Sequence, residues 1–262
     1  MKIRFIHVPK TAGTTVLSIL NLQYPLSKKF VFRGRDSERW GMLSPDLRRR
    51  IPVISGHAPL RTGFDDLDLC PSFILLRHPI ERAASFCRHI LDPKKKHYLR
   101  EEKGLTSIDG ILDQPDRGLI NLQTSMLLLN QDEIHSLDPY TFNGMDAPVD
   151  KAFDILAHDL HAFGIQEQFD TSMLLIAHAF RWRYPPIYLN RNISDRSLLI
   201  DFTPNQTAKL EQLNALDIEL YDRAKRRFCE LVERADWLAQ EHSRFECWQK
   251  VARPLLKLHQ IL

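Results

Sequence analysis

The chain has 262 residues, is 44% apolar and 26% charged, and carries a formal net charge of +3. Such values exclude a disordered or low-complexity chain, and so small a charge does not imply a nucleic-acid partner. There is no run of about 18 apolar residues, so no membrane span is expected, and the length suits one α/β domain.

The first element is a short β-prone run from Ile3 to Ile6. It feeds into His7-Val8-Pro9-Lys10-Thr11-Ala12-Gly13-Thr14-Thr15, after which Val16, Leu17, Ile19 and Leu20 recur at helical spacing. Strand, small-residue loop and helix in that order build an anion site. The first N–H groups of a helix lack internal partners, its dipole adds positive character, and Lys10 adds a full charge. Gly13 allows close backbone approach, and Thr14 and Thr15 supply hydroxyl donors. The loop departs from a Walker A sequence: Lys10 precedes the glycine instead of following it. A strand ending in Asp, as a Walker B magnesium site would have, is also hard to find. The reading is phosphate binding without metal, set against that of a plain tight turn with an exposed lysine.

Residues 28–50 hold eight basic side chains against three acidic ones: Lys28, Lys29, Arg33, Arg35, Arg39, Arg48, Arg49 and Arg50. They form a solvated face or receive an anionic acceptor. A short apolar strand at 52–56 then ends in Gly56-His57. The next strand, Ser72-Phe-Ile-Leu-Leu76, runs into Arg77, and Pro79 opens a helix. Along it Ile80, Ala83, Ala84, Cys87, Ile90 and Leu91 form a buried stripe, leaving Arg82, Ser85 and His89 as neighbours on another face. Arg77 at the strand end and Ser85 two turns into the helix are placed to hold one phosphate from two directions.

These motifs resemble the sulfotransferases that use 3′-phosphoadenosine 5′-phosphosulfate (PAPS). His7, Pro9, Lys10, Thr11, Gly13, Thr14 and Thr15 match their 5′-phosphosulfate loop, and Arg77, Pro79, Arg82 and Ser85 match their 3′-phosphate motif. The likeness is greatest to the carbohydrate branch containing heparan sulfate 2-O-sulfotransferase and bacterial relatives. His78, where that branch commonly has Asp, and Phe86-Cys87 depart from it on the adenosine side. The resemblance covers residues 1–90 well, 119–230 loosely and the last thirty hardly at all.

The resemblance implies an α/β fold with a mostly parallel sheet flanked by helices, P-loop-kinase-like, with a helical C-terminus. Residues 1–262 are expected to form one domain: a nucleotide-binding core at 1–90, acceptor-side loops and a helix at 91–148, and the remaining core and helical part at 149–262. PAPS is the implied co-substrate and adenosine 3′,5′-bisphosphate (PAP) the product. Lys10, Thr11, Ala12, Gly13, Thr14 and Thr15 would hold the 5′ end, and Arg77 and Ser85 the 3′-phosphate. His57 corresponds to the family's catalytic base, a role that an imidazole of ordinary pKa about 6.5 suits. His7 is the competing candidate, read as loop support because of its place in the first strand. Lys10 would stabilise charge on the leaving phosphate. The acceptor is expected to be a hydroxyl compound, a carbohydrate and potentially an anionic one. Two alternatives stay open: a nucleotide-dependent kinase, and a nucleotide-binding module without turnover. Golgi members of the family carry a membrane anchor; with the first strand at Ile3, a cytoplasmic, bacterial enzyme is expected. Oligomeric state is left open.

Beyond the motifs the sequence predicts a broken polar excursion at 92–118, with Lys94-Lys95-Lys96 as a second basic cluster, then a helix at 119–129. Asn121, Gln123 and Thr124 are candidates to face an acceptor, with capping or exposure the plainer reading. Another loop is expected at 130–148 and a helix from Val149 to Ala162. His158 and His161 share a turn there without an evident third ligand. Residues 163–169 resemble the family's strand-then-Glu-x-Phe segment, making Glu167 a support residue before a helix at 170–182. Residues 187–194 are expected to form the last strand and a loop over the nucleotide, with Arg191, Asn192 and Ser194 as contacts. From Thr203 the pattern is helical, and Asp217 to Tyr221 resembles the family's D-x-x-L-Y signature. Cys70, Cys87, Cys229 and Cys247 form no C-x-x-C pair and are read as reduced thiols in apolar surroundings.

Overall fold

Alternate residues of β1 (Ile3–Ile6) feed two separate cores. Ile3 and Phe5 pack with Val16, Ile19 and Leu20, whereas Ile6 packs with Ala83, Cys87 and Ile90 on the other side of the sheet. The same division holds in β4 (Ser72–Leu76), where Phe73 and Leu75 go one way and Ile74 and Leu76 the other. A strand covered on both faces is apolar except where a polar side chain finds buried partners, which explains runs such as Phe-Ile-Leu-Leu. The computed structural model describes residues 2–25, 27–33, 36–189 and 201–258.

With β2 (Lys29–Phe32), β3 (Val53–Gly56) and β5 (Ala162–Ile165) these strands make one sheet in the order β2-β3-β1-β4-β5, and every pairing is parallel. The helices follow in chain order: α1 (Gly13–Gln23), α2 (Asp36–Met42), α3 (Pro45–Arg49), α4 (Asp65–Asp68), α5 (Pro79–Leu91), α6 (Tyr98–Glu101), α7 (Ile108–Asp113), α8 (Leu122–Leu128), α9 (Gln131–His135), α10 (Pro148–Asp154), α11 (Phe169–Ala179), α12 (Pro204–Leu213), α13 (Ala215–Glu233) and α14 (Leu238–Leu258). The architecture is the expected α/β class with a helical C-terminus. Among the described residues no helix is long and apolar enough to cross a membrane.

From β1 the chain winds to β2 and β3 on one side, then crosses to β4 and β5 on the other. Such a reversal leaves a crevice at the carboxyl ends of the central strands, where open α/β sheets hold ligands. Ile6 lies level with Gly56 of β3 and with Ile74 of β4. The exit loops of β3, β1 and β4 therefore emerge side by side.

Several expectations are corrected. The basic stretch at 28–50 contains an unforeseen strand, β2, because Phe32 and Trp40 are buried with Ile51 and Ile54; Arg35 lies outside the described residues. The helix expected over 149–162 stops at Asp154, passes through a π-turn at Ile155–Asp159 and yields to β5 at Ala162. That strand, not 187–194, closes the sheet as described. Ile187 to Leu189 form no strand, and 190–194, with Arg191, Asn192 and Ser194, lie outside the described residues. The excursions at 92–118 and 130–148 contain α6, α7 and α9. All four cysteines are free, but Cys229 and Cys247 are exposed, not apolar-packed.

Candidate functional site

The three adjacent exit loops line one cleft of about 870 Å³, into which Lys10, Ala12, Gly13, Thr14, Thr15, His57, Arg77 and Ser85 all project. Of the residues expected to hold the two phosphates or to act in catalysis, Thr11 is the one not among them, while Arg82, Asn121, Gln123 and Thr124 lie outside the cleft wall and Arg191, Asn192 and Ser194 outside the described residues. The Thr11 side chain is buried and donates to the Val8 carbonyl at 2.8 Å, so it fastens the loop from within.

The loop after β1 turns through two left-handed residues, Lys10 (φ 72°) and Ala12 (φ 63°). Neither is glycine, and non-glycine residues held in that region store strain of the kind found at ligand clamps. Ala12 is also the N-cap of α1, a place where no side chain accepts a helix N–H. Gly13 has a local reason as well: a Cβ there would lie 1.7 Å from His7 Nε2. The glycine makes room for that ring, a neighbour that the sequence alone does not reveal.

His57 extends the line of β3 into the cleft, its ring open to solvent on one side. The ring Nδ1 lies 2.8 Å from the His7 carbonyl oxygen. A carbonyl only accepts, so Nδ1 carries the hydrogen and Nε2 keeps its lone pair in the neutral ring. Burial holds the His57 pKa below its usual value, partly offset by this hydrogen bond. Behind it, Arg4 of β1 is 1% exposed and donates to the carbonyls of Pro59, Leu60 and Leu67. One buried guanidinium thus straps down the segment that follows His57. Burial lowers its pKa to about 10.

Arg77 ends β4. Its Nη1 donates to the Lys10 carbonyl at 3.2 Å, tying the two loops together, and its Nη2 lies 3.6 Å from Glu81. The Gln123 amide bonds both the N–H and the carbonyl of Arg77, at 2.8 and 2.9 Å. Glu167 accepts the next N–H, that of His78, at 2.8 Å, and the Tyr221 hydroxyl at 2.9 Å. Gln123 is held in turn by Asp217, which accepts from the N–H groups of Gln123 and Thr124 and from the Thr124 hydroxyl. Asn121 accepts from the N–H groups of Leu216 and Asp217. Asn121, Gln123 and Thr124 are therefore buried scaffolding: Asn121 caps the start of α13, and Gln123 and Thr124 neither cap a helix nor reach solvent, unlike the plainer reading. Arg82 differs from expectation: fully buried, it donates to Gly118 and Asn214, away from the Ser85 face.

The charge around Lys10 is mostly positive, and the carboxylate of the cleft wall, Asp92, is paired with Lys95 at 3.3 Å. No carboxylate lies within ion-pair distance of Lys10 among the described residues. Burial first, then Lys95, Arg77 and Arg88, lower its pKa to about 8. Burial followed by Lys10 and Lys95 lowers His89 to about 4. Of the buried nitrogens without a hydrogen-bond partner in the described structure, Arg77 Nε and His89 Nδ1 belong to residues of the cleft wall, and Arg82 Nε, Arg88 Nε and Trp182 Nε1 do not. The Arg77 Nε–H can only donate and so asks for an acceptor, which an anion in the cleft would supply. Lys94, Lys95 and His97 extend the cleft wall. His89 is legible as the residue one turn after Ser85; Gln123 and Asp217 are singled out in the sequence, but not for the support of Arg77 that they provide. Among the described residues no three His, Cys, Asp or Glu side chains gather as a metal site.

No protein-family model and no curated protein matches this sequence.

Proposed function

We propose that the cleft binds PAPS and transfers its sulfuryl group to an acceptor hydroxyl, a carbohydrate by the resemblance of the motifs. One observation carries the reading: cationic side chains from two neighbouring strand ends, Lys10 and Arg77, share a cleft with Ser85 and with His57, whose Nδ1 is held by the His7 carbonyl. The unpartnered Nε–H of Arg77, with Lys10 and Lys95 in the same cleft wall, fits an anionic ligand bearing several oxygens.

In this reading Arg77 and Ser85 hold the 3′-phosphate, and the backbone of the 10–15 loop, with Thr14 and Thr15, holds the 5′ end. His57 Nε2 takes the proton of the acceptor hydroxyl as its oxygen bonds to sulfur. The bond from sulfur to the 5′-phosphate oxygen breaks in line, and Lys10 neutralises the charge left there. Positioning and fixed charge supply the acceleration, as in phosphoryl transfer.

The test is transfer of labelled sulfate from PAPS into a panel of hydroxyl acceptors and a lysate. Label in an acceptor, lost in Lys10→Ala, supports the reading. PAPS left unconsumed while PAP binds points to a non-catalytic module, and tighter binding of ATP with magnesium than of PAP points to a kinase.

A further inference from the structure

His57 does not stand alone in the cleft. The His7 ring lies against it, with centroids 4.4 Å apart and planes tilted by 32°. The same ring stacks on Phe5 at 5.3 Å and 17°, and Phe5 stacks on Phe73 at 4.9 Å and 19°. A run of flat rings therefore leads from the core between β1 and β4 to the face of His57. Gly13 lies under the His7 ring, where any Cβ would collide with Nε2. The His7 backbone is fixed too, its N–H donating to the Gly56 carbonyl at 2.9 Å and its own carbonyl accepting from His57 Nδ1. Helix α1, strand β3 and the Phe5–Phe73 stack thus fix His7 from three sides.

We infer that His7 is a positioning residue: its ring is the flat wall that holds the His57 imidazole in one rotamer, with Nδ1 on the His7 carbonyl and Nε2 turned to the acceptor. The ring serves by shape, not by proton exchange. Burial, then His57 and Lys10, push its pKa down to about 3. The ring stays neutral at working pH and opposes the charge that His57 gains less than a second cation would. Lys10 and His57 are the charged or titratable groups known to bear on it. The kinetic consequence rests on the sulfuryl-transfer reading; the structural one does not.

The test uses the whole chain, two His7 variants and His57→Gln for assignment. Histidine 15N correlation spectra, with His57 assigned through His57→Gln, should show wild-type His57 protonated on Nδ1 alone. His7→Phe keeps a flat ring and should preserve that tautomer, while His7→Ala keeps the carbonyl but removes the wall and should give a tautomer mixture. In transfer assays His7→Ala should lower kcat by about tenfold or more, with His7→Phe restoring it to within about threefold. PAP affinity should change by less than about threefold in both, because phosphate contacts are untouched. If His7→Ala does not fold, His7→Leu, which fills space without a flat face, replaces it. A wild-type tautomer in the alanine or leucine variant, or a phenylalanine variant as slow as alanine, overturns the inference. Absence of all turnover with the tautomer pattern intact would overturn the proposed reaction instead.

Discussion

The side chain of Gln123 grips the main chain of Arg77 at two points, Oε1 accepting the N–H at 2.8 Å and Nε2 donating to the carbonyl at 2.9 Å. A residue 46 positions away in sequence thus sets the direction in which Arg77 leaves β4. Gln123→Leu keeps the volume and removes both bonds. PAP affinity should fall by about tenfold with little change in fold, the loss expected when a guanidinium is aimed less well. Calorimetric titration of the folded variant decides it; wild-type affinity would show that Arg77 needs no such support.

Lys10 gives a pH signature. Its pKa of about 8 in the free protein lies below the ordinary lysine value, so between pH 8 and 10.5 the folded state binds fewer protons than the unfolded chain. Stability should therefore rise with pH across that window, the unfavourable charge being fully present below pH 8. Bound anion favours the charged amine, so PAP binding near pH 8.5 should take up a proton. Titration in buffers of different ionisation heats should show this uptake in wild type and not in Lys10→Met.

Much of this site was legible because its chemistry is carried by residues close together in sequence. Lys10 to Thr15, Gly56-His57 and Arg77 to Ser85 each sit at a strand end, and parallel strand ends meet in space. Long-range packing was not legible. Gly13 reads as a glycine for phosphate, yet the His7 ring requires it. Arg82 matches a motif and is spent on Gly118 and Asn214. β2 was hidden in a basic stretch because its burial comes from Trp40, Ile51 and Ile54. The helical period over 149–162 overlaps β5 only at Ala162, and the strand expected from Phe163 is there; the π-turn at Ile155–Asp159 is what the period did not reveal.

His57→Gln should remove the base while leaving both phosphate grips in place. The expected loss in kcat is about 100-fold to 10,000-fold, with PAP affinity unchanged. Single-turnover transfer and PAP titration on one preparation measure both. Undiminished transfer would remove His57 from the mechanism, and lost PAP binding in a folded protein would make it a nucleotide residue.

Asp217 underlies the site without touching the cleft. It is wholly buried, accepts three hydrogen bonds from Gln123 and Thr124, and faces the charge of buried Arg82; burial raises its pKa. Asp217→Ala would leave those donors and Arg82 uncompensated, a loss of about 3–5 kcal/mol. Urea unfolding should show an earlier midpoint at similar slope. A variant as stable as wild type would mean that Arg82 is balanced elsewhere.

The central claim is that Lys10 and Arg77 serve one nucleotide with phosphates at both ends, and calorimetry with PAP in magnesium-free buffer tests it most directly. The account predicts one molecule of PAP per chain, weaker binding of adenosine 5′-phosphate, and a loss of about tenfold or more in each of Lys10→Met and Arg77→Met. No heat from PAP with folded protein, or equal affinity in both variants, would contradict it.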